Sequence, residues 1–119
     1  MDKVNLVQKL GLFDEPWTPK IIGALNGQHV KLAKLKGEFL WHSHADEDEL
    51  FLVLEGALTI LMRDREVHLE PGEMFIVMKG VEHKPVANEG ASVLLFEPVQ
   101  TKHAGGASTE RAVHHQEWI

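Results

Sequence analysis

His42-Ser43-His44, Glu49 and His83 are the residues of this chain best equipped for chemistry. Three imidazoles and one carboxylate can together hold a divalent transition metal ion. Strand side chains alternate with period two, so a His-x-His pair on extended backbone presents both rings on one face. His42 and His44 can therefore chelate a single ion. Asp46 and Glu47 stand as alternatives to Glu49 for the carboxylate, although Asp46-Glu47-Asp48 also reads as a solvated acidic loop that raises the local negative potential. The competing reading is a polar turn with exposed histidines, His83 being an ordinary loop residue. His29, His68, His103, His114 and His115 read as surface residues.

Composition narrows the chemistry. The 119 residues contain no cysteine and no tyrosine. Disulfides, thiolate ligands and a tyrosine acid or base are thereby excluded, and any metal must sit on nitrogen and oxygen. The formal charge is −6 and no basic stripe is present, which argues against nucleic acid as a partner. The start, Met1-Asp2-Lys3, has no apolar signal region. No stretch approaches the ~20 apolar residues of a membrane span. The expectation is a cytoplasmic protein without membrane contact, folded as one domain over residues 1–119, with a core of about 19–98 and a tail from about 99.

The elements that must position the ligands read as β. Residues 3–13 form a short helix or an edge segment. Ile21 to Leu25, Asn26-Gly27 and Val30 to Leu35 read as a hairpin, since Asn-Gly supplies the positive φ angles of a type I′ turn. Lys34 breaks the alternation of Val30 and Leu32, which implies a bulge or uneven cover. Further short runs follow at Leu50 to Leu54, Leu58 to Met62, Val67 to Leu69, Met74 to Val77 and Val93 to Phe96, with turns at Glu55-Gly56, Asp64-Arg65, Pro71-Gly72 and Gly80. Many short strands at this spacing predict an all-β sandwich or barrel. From Thr101 the chain is polar, a tail that wraps back through Trp118 and Ile119.

If Glu55-Gly56 is a two-residue hairpin loop, Glu49 lies opposite Met62 and Phe51 opposite Ile60. Glu49, Phe51 and Val53 then share an apolar interior face with Leu58, Ile60 and Met62. A carboxylate there would cost several kcal/mol unpaired, so Glu49 needs a cation. The same count turns Val67 and Leu69 inward and His68 outward. Trp41, Phe51, Met62 and Phe75 read as core, and Phe51 and Met62 are candidates to line a substrate pocket beside the ion. Arg63 and Lys84 read as surface charges. Several strands are apolar on both faces, so their outer side is covered by the N-terminal segment or by a second copy; the expectation is a homodimer.

These residues resemble the cupin superfamily. Its first motif is matched by Gly37, His42, His44, Glu49 and Gly56, and its second by Gly72, Gly80 and His83. Gly37 is one place close, Met78 stands where the motif has proline, and Asn88 falls one place late; none of these removes a ligand. The resemblance implies a cupin (double-stranded β-helix, jelly-roll) barrel with a short N-terminal segment and a C-terminal tail. It also implies one ion inside the barrel, bound by His42, His44, Glu49 and His83. It is nearest the short single-domain microbial cupins described as mannose-6-phosphate-isomerase-like.

Ligand type leaves Fe²⁺, Mn²⁺, Co²⁺, Ni²⁺, Zn²⁺ and Cu²⁺ open. The expected function is a mononuclear metal-dependent enzyme, with dioxygenase-type or enediolate chemistry on a small oxygen-rich metabolite. The alternatives are a sugar or sugar-phosphate isomerase and a metal-dependent small-molecule binding domain without turnover. A phosphate would call for clustered cations, whereas Arg63, Arg65 and Arg111 are the only arginines. No catalytic acid or base can be named from the sequence, though outer strands or the tail could supply one.

Overall fold

The computed structural model describes residues 1–106 and 115–119, so His114 and Arg111 lie outside the described residues. A short helix, α1 (Leu6–Leu10), is followed by seven strands: β1 (Lys20–Leu25), β2 (Gln28–Glu38), β3 (Glu49–Gly56), β4 (Leu58–Met62), β5 (Glu66–Leu69), β6 (Met74–Val77) and β7 (His83–Pro98). All named strand pairs are antiparallel, and they wrap into a jelly-roll barrel. Among the described residues no helix is long and apolar enough to cross a membrane.

The first hairpin forms as its sequence dictates. Asn26 and Gly27 have φ of 48° and 76°, and Leu25 pairs with Gln28 across the turn. Lys31, Ala33 and Leu35 of β2 are buried, and so is Leu32 between them. A strand buried on both faces needs cover outside as well as in. The N-terminal segment supplies it: Leu10 and Phe13 join Ile22 and Leu32 in a second apolar cluster, against which Ile119 also packs. One turn of helix is marginal in water. Here Asn5 Oδ1 accepts the Gln8 N–H at 3.0 Å, and burial of Leu10 adds roughly 1.5–3 kcal/mol. Lys34, on the same outer face, donates to the Phe13 carbonyl at 2.6 Å, which accounts for the broken alternation. The C-terminus returns as expected. Trp118 bridges Ile21, and Ile119 N–H donates to the Ile21 carbonyl at 3.0 Å, covering the edge of β1.

One pairing differs from the sequence reading. Leu54 and Ala57 do not close a β3–β4 hairpin: β3 pairs with β6 and β7, whereas β4 pairs with β5 and β7. At Gly56 the chain crosses between sheet neighbours instead of turning back. Gly56 has φ of 77°, and a Cβ there would run into the carbonyl of Gly90 and lie 2.9 Å from Ala91 Cα. The inward set nonetheless stands as counted. Glu49, Phe51 and Val53 are buried, and Leu58, Ile60 and Met62 are buried after the crossing. Parity survives because the register shift between Val53 and Glu55 offsets the alternation by one residue, so Leu58 again faces inward.

β7 organises the barrel. Its first residues pair with β4, setting His83 opposite Met62, and the remainder lies against β2, with β3 on its other side from Ala91 to Phe96. One continuous strand thus carries His83 at its start and Glu97 near its end.

Gly56 and Gly27 share a left-handed φ but differ in surroundings, since nothing lies within 4 Å of a Cβ at Gly27. Gly27→Ala should cost about 1 kcal/mol for the backbone angle alone, and Gly56→Ala at least about 2 kcal/mol because backbone must move as well. Urea unfolding midpoints of the two variants measure the difference; equal losses would mean that the Gly56–Gly90 approach carries no constraint.

Candidate metal centre

Two candidate ligands begin strands, and the other two lie in the segment that joins β2 to β3. Glu49 opens β3 and His83 opens β7. His42 is held against His83 by a reciprocal backbone pair, His42 N–H to the His83 carbonyl at 3.0 Å and the reverse at 2.9 Å. The His44 carbonyl accepts the Gly80 N–H at 2.7 Å, tying the loop before β3 to the turn before His83. In the same region Asp48 Oδ1 accepts the Lys79 N–H at 2.8 Å. Asp46 and Asp48 are exposed and Glu47 is half-buried, so of the acidic run only Glu49 enters the cluster.

The structure brings His42, His44, Glu49 and His83 together, all buried, with one ligand atom from each lying within 4.8 Å of the others. The Nε2 atoms of His44 and His83 each lie 3.6 Å from Glu49 Oε1, too far for a hydrogen bond. Leu40 and Val81 carbonyls accept from Nδ1 of His42 and His83, both at 3.0 Å. Those bonds put the proton on Nδ1 and leave Nε2 a bare lone pair, the arrangement a metal-binding imidazole adopts. His83 Nε2 and both ring nitrogens of His44 are buried without a hydrogen-bond partner. Buried polar atoms are rarely left so. The donor set suits a metal ion.

Electrostatics point the same way. Burial, with the nearby His83 ring, pushes His42 down from 6.5 to about 4, against the pull of the Leu40 carbonyl. Burial would raise the Glu49 carboxyl, but the polar groups of Glu97, His44 and His83 outweigh it and hold Glu49 well below its ordinary value. The cluster therefore keeps a neutral His42 ring and an ionised carboxylate, the protonation states metal ligands need.

Beside the ligands runs a narrow chamber with an internal volume of about 30 Å³, open to solvent. Trp17, Phe39, Phe51 and Leu95 wall it, with His42 and Glu49 at one side and His103 at another. Trp17 stacks on Phe39 with ring centroids 5.0 Å apart, and Phe39 meets His103 at 4.9 Å. Phe51 is thus at the chamber. Met62 is not among its lining residues; it packs in the main core opposite His83. The reading of His103 as a surface residue is corrected: the tail folds over the barrel mouth, burying Thr101 and Ala104 and leaving His103 half-buried at the chamber wall. Trp41 is also not core. It lies half-buried beneath Arg63, whose guanidinium sits 3.8 Å from the ring centroid and 3.3 Å from Glu82. His68 is exposed, as its outward count requires, and contacts Thr59 and Glu70. His29 is half-buried against Trp118.

The sequence pattern described as a cupin domain matches residues 28–97. The chain belongs to the cupin family. A cupin-2 domain protein of Shewanella frigidimarina is 46% identical, with a TM-score of 0.79 over 80% of this chain and 93% of that one. Protein YdbB of Bacillus subtilis is 42% identical over 64 residues, 53% of this chain and 57% of its own. Tetracenomycin polyketide synthase protein TcmJ of Streptomyces glaucescens is 34% identical over 76 residues, 61% of this chain and 49% of its own. The cupin thus spans about half the length of the curated relatives it matches.

The depressed His42 value has a consequence for stability. The folded state accepts the neutral ring, so it binds fewer protons than the unfolded chain between pH 6.5 and about 4. Stability is full above pH 6.5 and falls as pH drops through that window. In the metal-free protein, thermal melts from pH 7 to pH 4 should therefore show a shallower pH dependence for His42→Gln than for wild type. Parallel curves would contradict the buried neutral ring.

Proposed function

We propose that this cupin is a mononuclear metal-dependent enzyme in which His42, His44, Glu49 and His83 bind one divalent transition metal, with dioxygenase-type or enediolate chemistry on a small substrate bearing adjacent oxygens. The observation that carries the reading is a buried donor set, with His83 Nε2 and both His44 ring nitrogens lacking any hydrogen-bond partner, opening onto an aromatic chamber. The ion would act there as a Lewis acid for a chelating substrate. The chain's own residues do the rest. Trp17, Phe39, Phe51 and Leu95 offer flat apolar walls that favour a planar body and exclude water. Among the described residues His103 is the titratable lining side chain outside the ligand set, and its imidazole would serve to pass a proton to or from a bound hydroxyl.

A sugar phosphate is a poor match for this lining. No arginine or lysine lines the chamber, and Arg63 and Arg65 are exposed. The name of TcmJ ties that relative to polyketide synthesis, which is in keeping with a ring-bearing substrate. Cytoplasmic work as one cupin domain, and as a homodimer, belongs to the same proposal. With β2 covered by the N-terminal segment, an apolar surface available to a second copy is the outer side of β6 and its flank, where Met74, Ile76 and Met78 are exposed. β6 ends the strand path, so an open edge lies beside that surface.

Elemental analysis of protein purified without chelators or nickel columns should find about one transition-metal ion per chain. His44→Ala should lose it and His68→Ala retain it; equal retention in both would sink the ligand assignment. Oxygen uptake by the Fe²⁺-loaded protein over a panel of catechols, enediols and sugar acids then tests turnover. Binding without turnover across the panel would favour a non-catalytic binding domain. For the dimer, gel filtration at micromolar concentration should give twice the chain mass in wild type and a shift to monomer in Ile76→Lys. A monomeric wild type would remove it.

A further inference from the structure

The barrel interior holds two charged side chains outside the ligand set. Lys31 and Glu97 are 1% and 2% exposed, and Lys31 Nζ donates to Glu97 Oε1 at 2.6 Å. Taking such a pair out of water costs several kcal/mol per ion before their attraction is counted, and apolar residues of equal volume are often as stable. The pair's place in the sheet is informative. Across β7 and β3, Leu50 lies opposite Phe96 and Phe51 opposite Leu95, so the same register sets Glu49 beside Glu97. Across β2 and β7, Lys31 lies opposite Leu95, which makes it a diagonal neighbour of Glu97 on the inner face. Lys31, Glu97 and Glu49 thus form one inward row over three adjacent strands.

The row is also bonded. Lys31 satisfies one oxygen of Glu97, and the other, Oε2, is buried without a hydrogen-bond partner on the strand beside Glu49. A hydrogen bond between two such neighbouring carboxyl groups would fix both planes, which a lone carboxylate in an apolar wall would lack. Outer partners of this kind hold metal-binding carboxylates in orientation.

We propose that Lys31 and Glu97 are positioning residues that set the orientation of the Glu49 carboxylate and thereby the metal affinity of the site. This rests on the reading of His42, His44, Glu49 and His83 as metal ligands. Lys31 anchors Glu97, Glu97 bonds Glu49, and Glu49 turns its remaining oxygen toward the three imidazoles.

Co²⁺ titration against a competing chelator, followed by visible absorption, tests it without any substrate. Glu97→Met, which keeps volume but not the bond, should weaken Co²⁺ binding about 10- to 100-fold and alter the absorption bands, whereas Glu97→Gln, whose amide can donate to Glu49 and accept from Lys31, should stay within about threefold of wild type. Unchanged affinity and spectrum in Glu97→Met would overturn the inference and leave the ligand assignment standing. So would a loss in Glu97→Gln as large as in Glu97→Met. Wild-type protein that binds no Co²⁺ would overturn both. Should Glu97→Met fail to fold, Lys31→Gln carries the same comparison: weaker binding supports the row, and wild-type binding overturns it.

Discussion

Three imidazole nitrogens and a carboxylate, packed together out of water, cannot rest without a positive charge among them. In a low-dielectric interior an ionised Glu49 is costly, and bare ring nitrogens with no donor are nearly as unwelcome. A cation relieves both at once. That single requirement explains why the barrel tolerates so polar a cluster against a core of Val53, Ile60, Val93 and Leu95. It also explains the carbonyls of Leu40 and Val81 behind the rings, which hold the protons away from the nitrogens that face inward.

The architecture follows from that demand. The site needs side chains from three places in the sequence, and β7 unites them by pairing with β4, β2 and β3 in turn. The Gly80 and His44 backbones tie the two ligand-bearing loops directly. Outside, α1 and the C-terminal Ile119 cover the second apolar face, so the sheet is held rigid on both sides. A rigid frame matters because ligand geometry tolerates little displacement. Beside the four ligands, Trp17, Phe39 and the returning tail narrow the approach to an aromatic passage.

Much of this was legible in the residues. His42 and His44 share a face by period-two alternation, Glu49 joins Phe51 and Val53 in the same way, and Asn26-Gly27 announces its turn, because all three depend on neighbours along the chain. The β3–β4 relation was not legible. Glu55-Gly56 has the composition of a hairpin loop, and nothing local reveals that Gly56 must instead pass close to Gly90, thirty-four residues away. His103 and Met62 exchanged places for the same reason, since which side chain borders the chamber depends on where the tail folds. Lys31 and Glu97 look like ordinary strand charges. Their alternation with Leu32 and Phe96 would suit a solvated face, had α1 not covered that other face and sent both inward.

The sequence alone therefore determined the chemistry available: nitrogen and oxygen donors, no thiol, no phenol, and a strand pattern that turns Glu49 inside. Those properties reside in residue types and short spacings, which local stereochemistry translates directly. Tertiary structure decided which distant groups meet. The convergence of His83 on the His42–His44 pair, the Lys31–Glu97–Glu49 row and the chamber wall all arise from strand order and register, quantities set by burial of the whole sheet rather than by any segment of it.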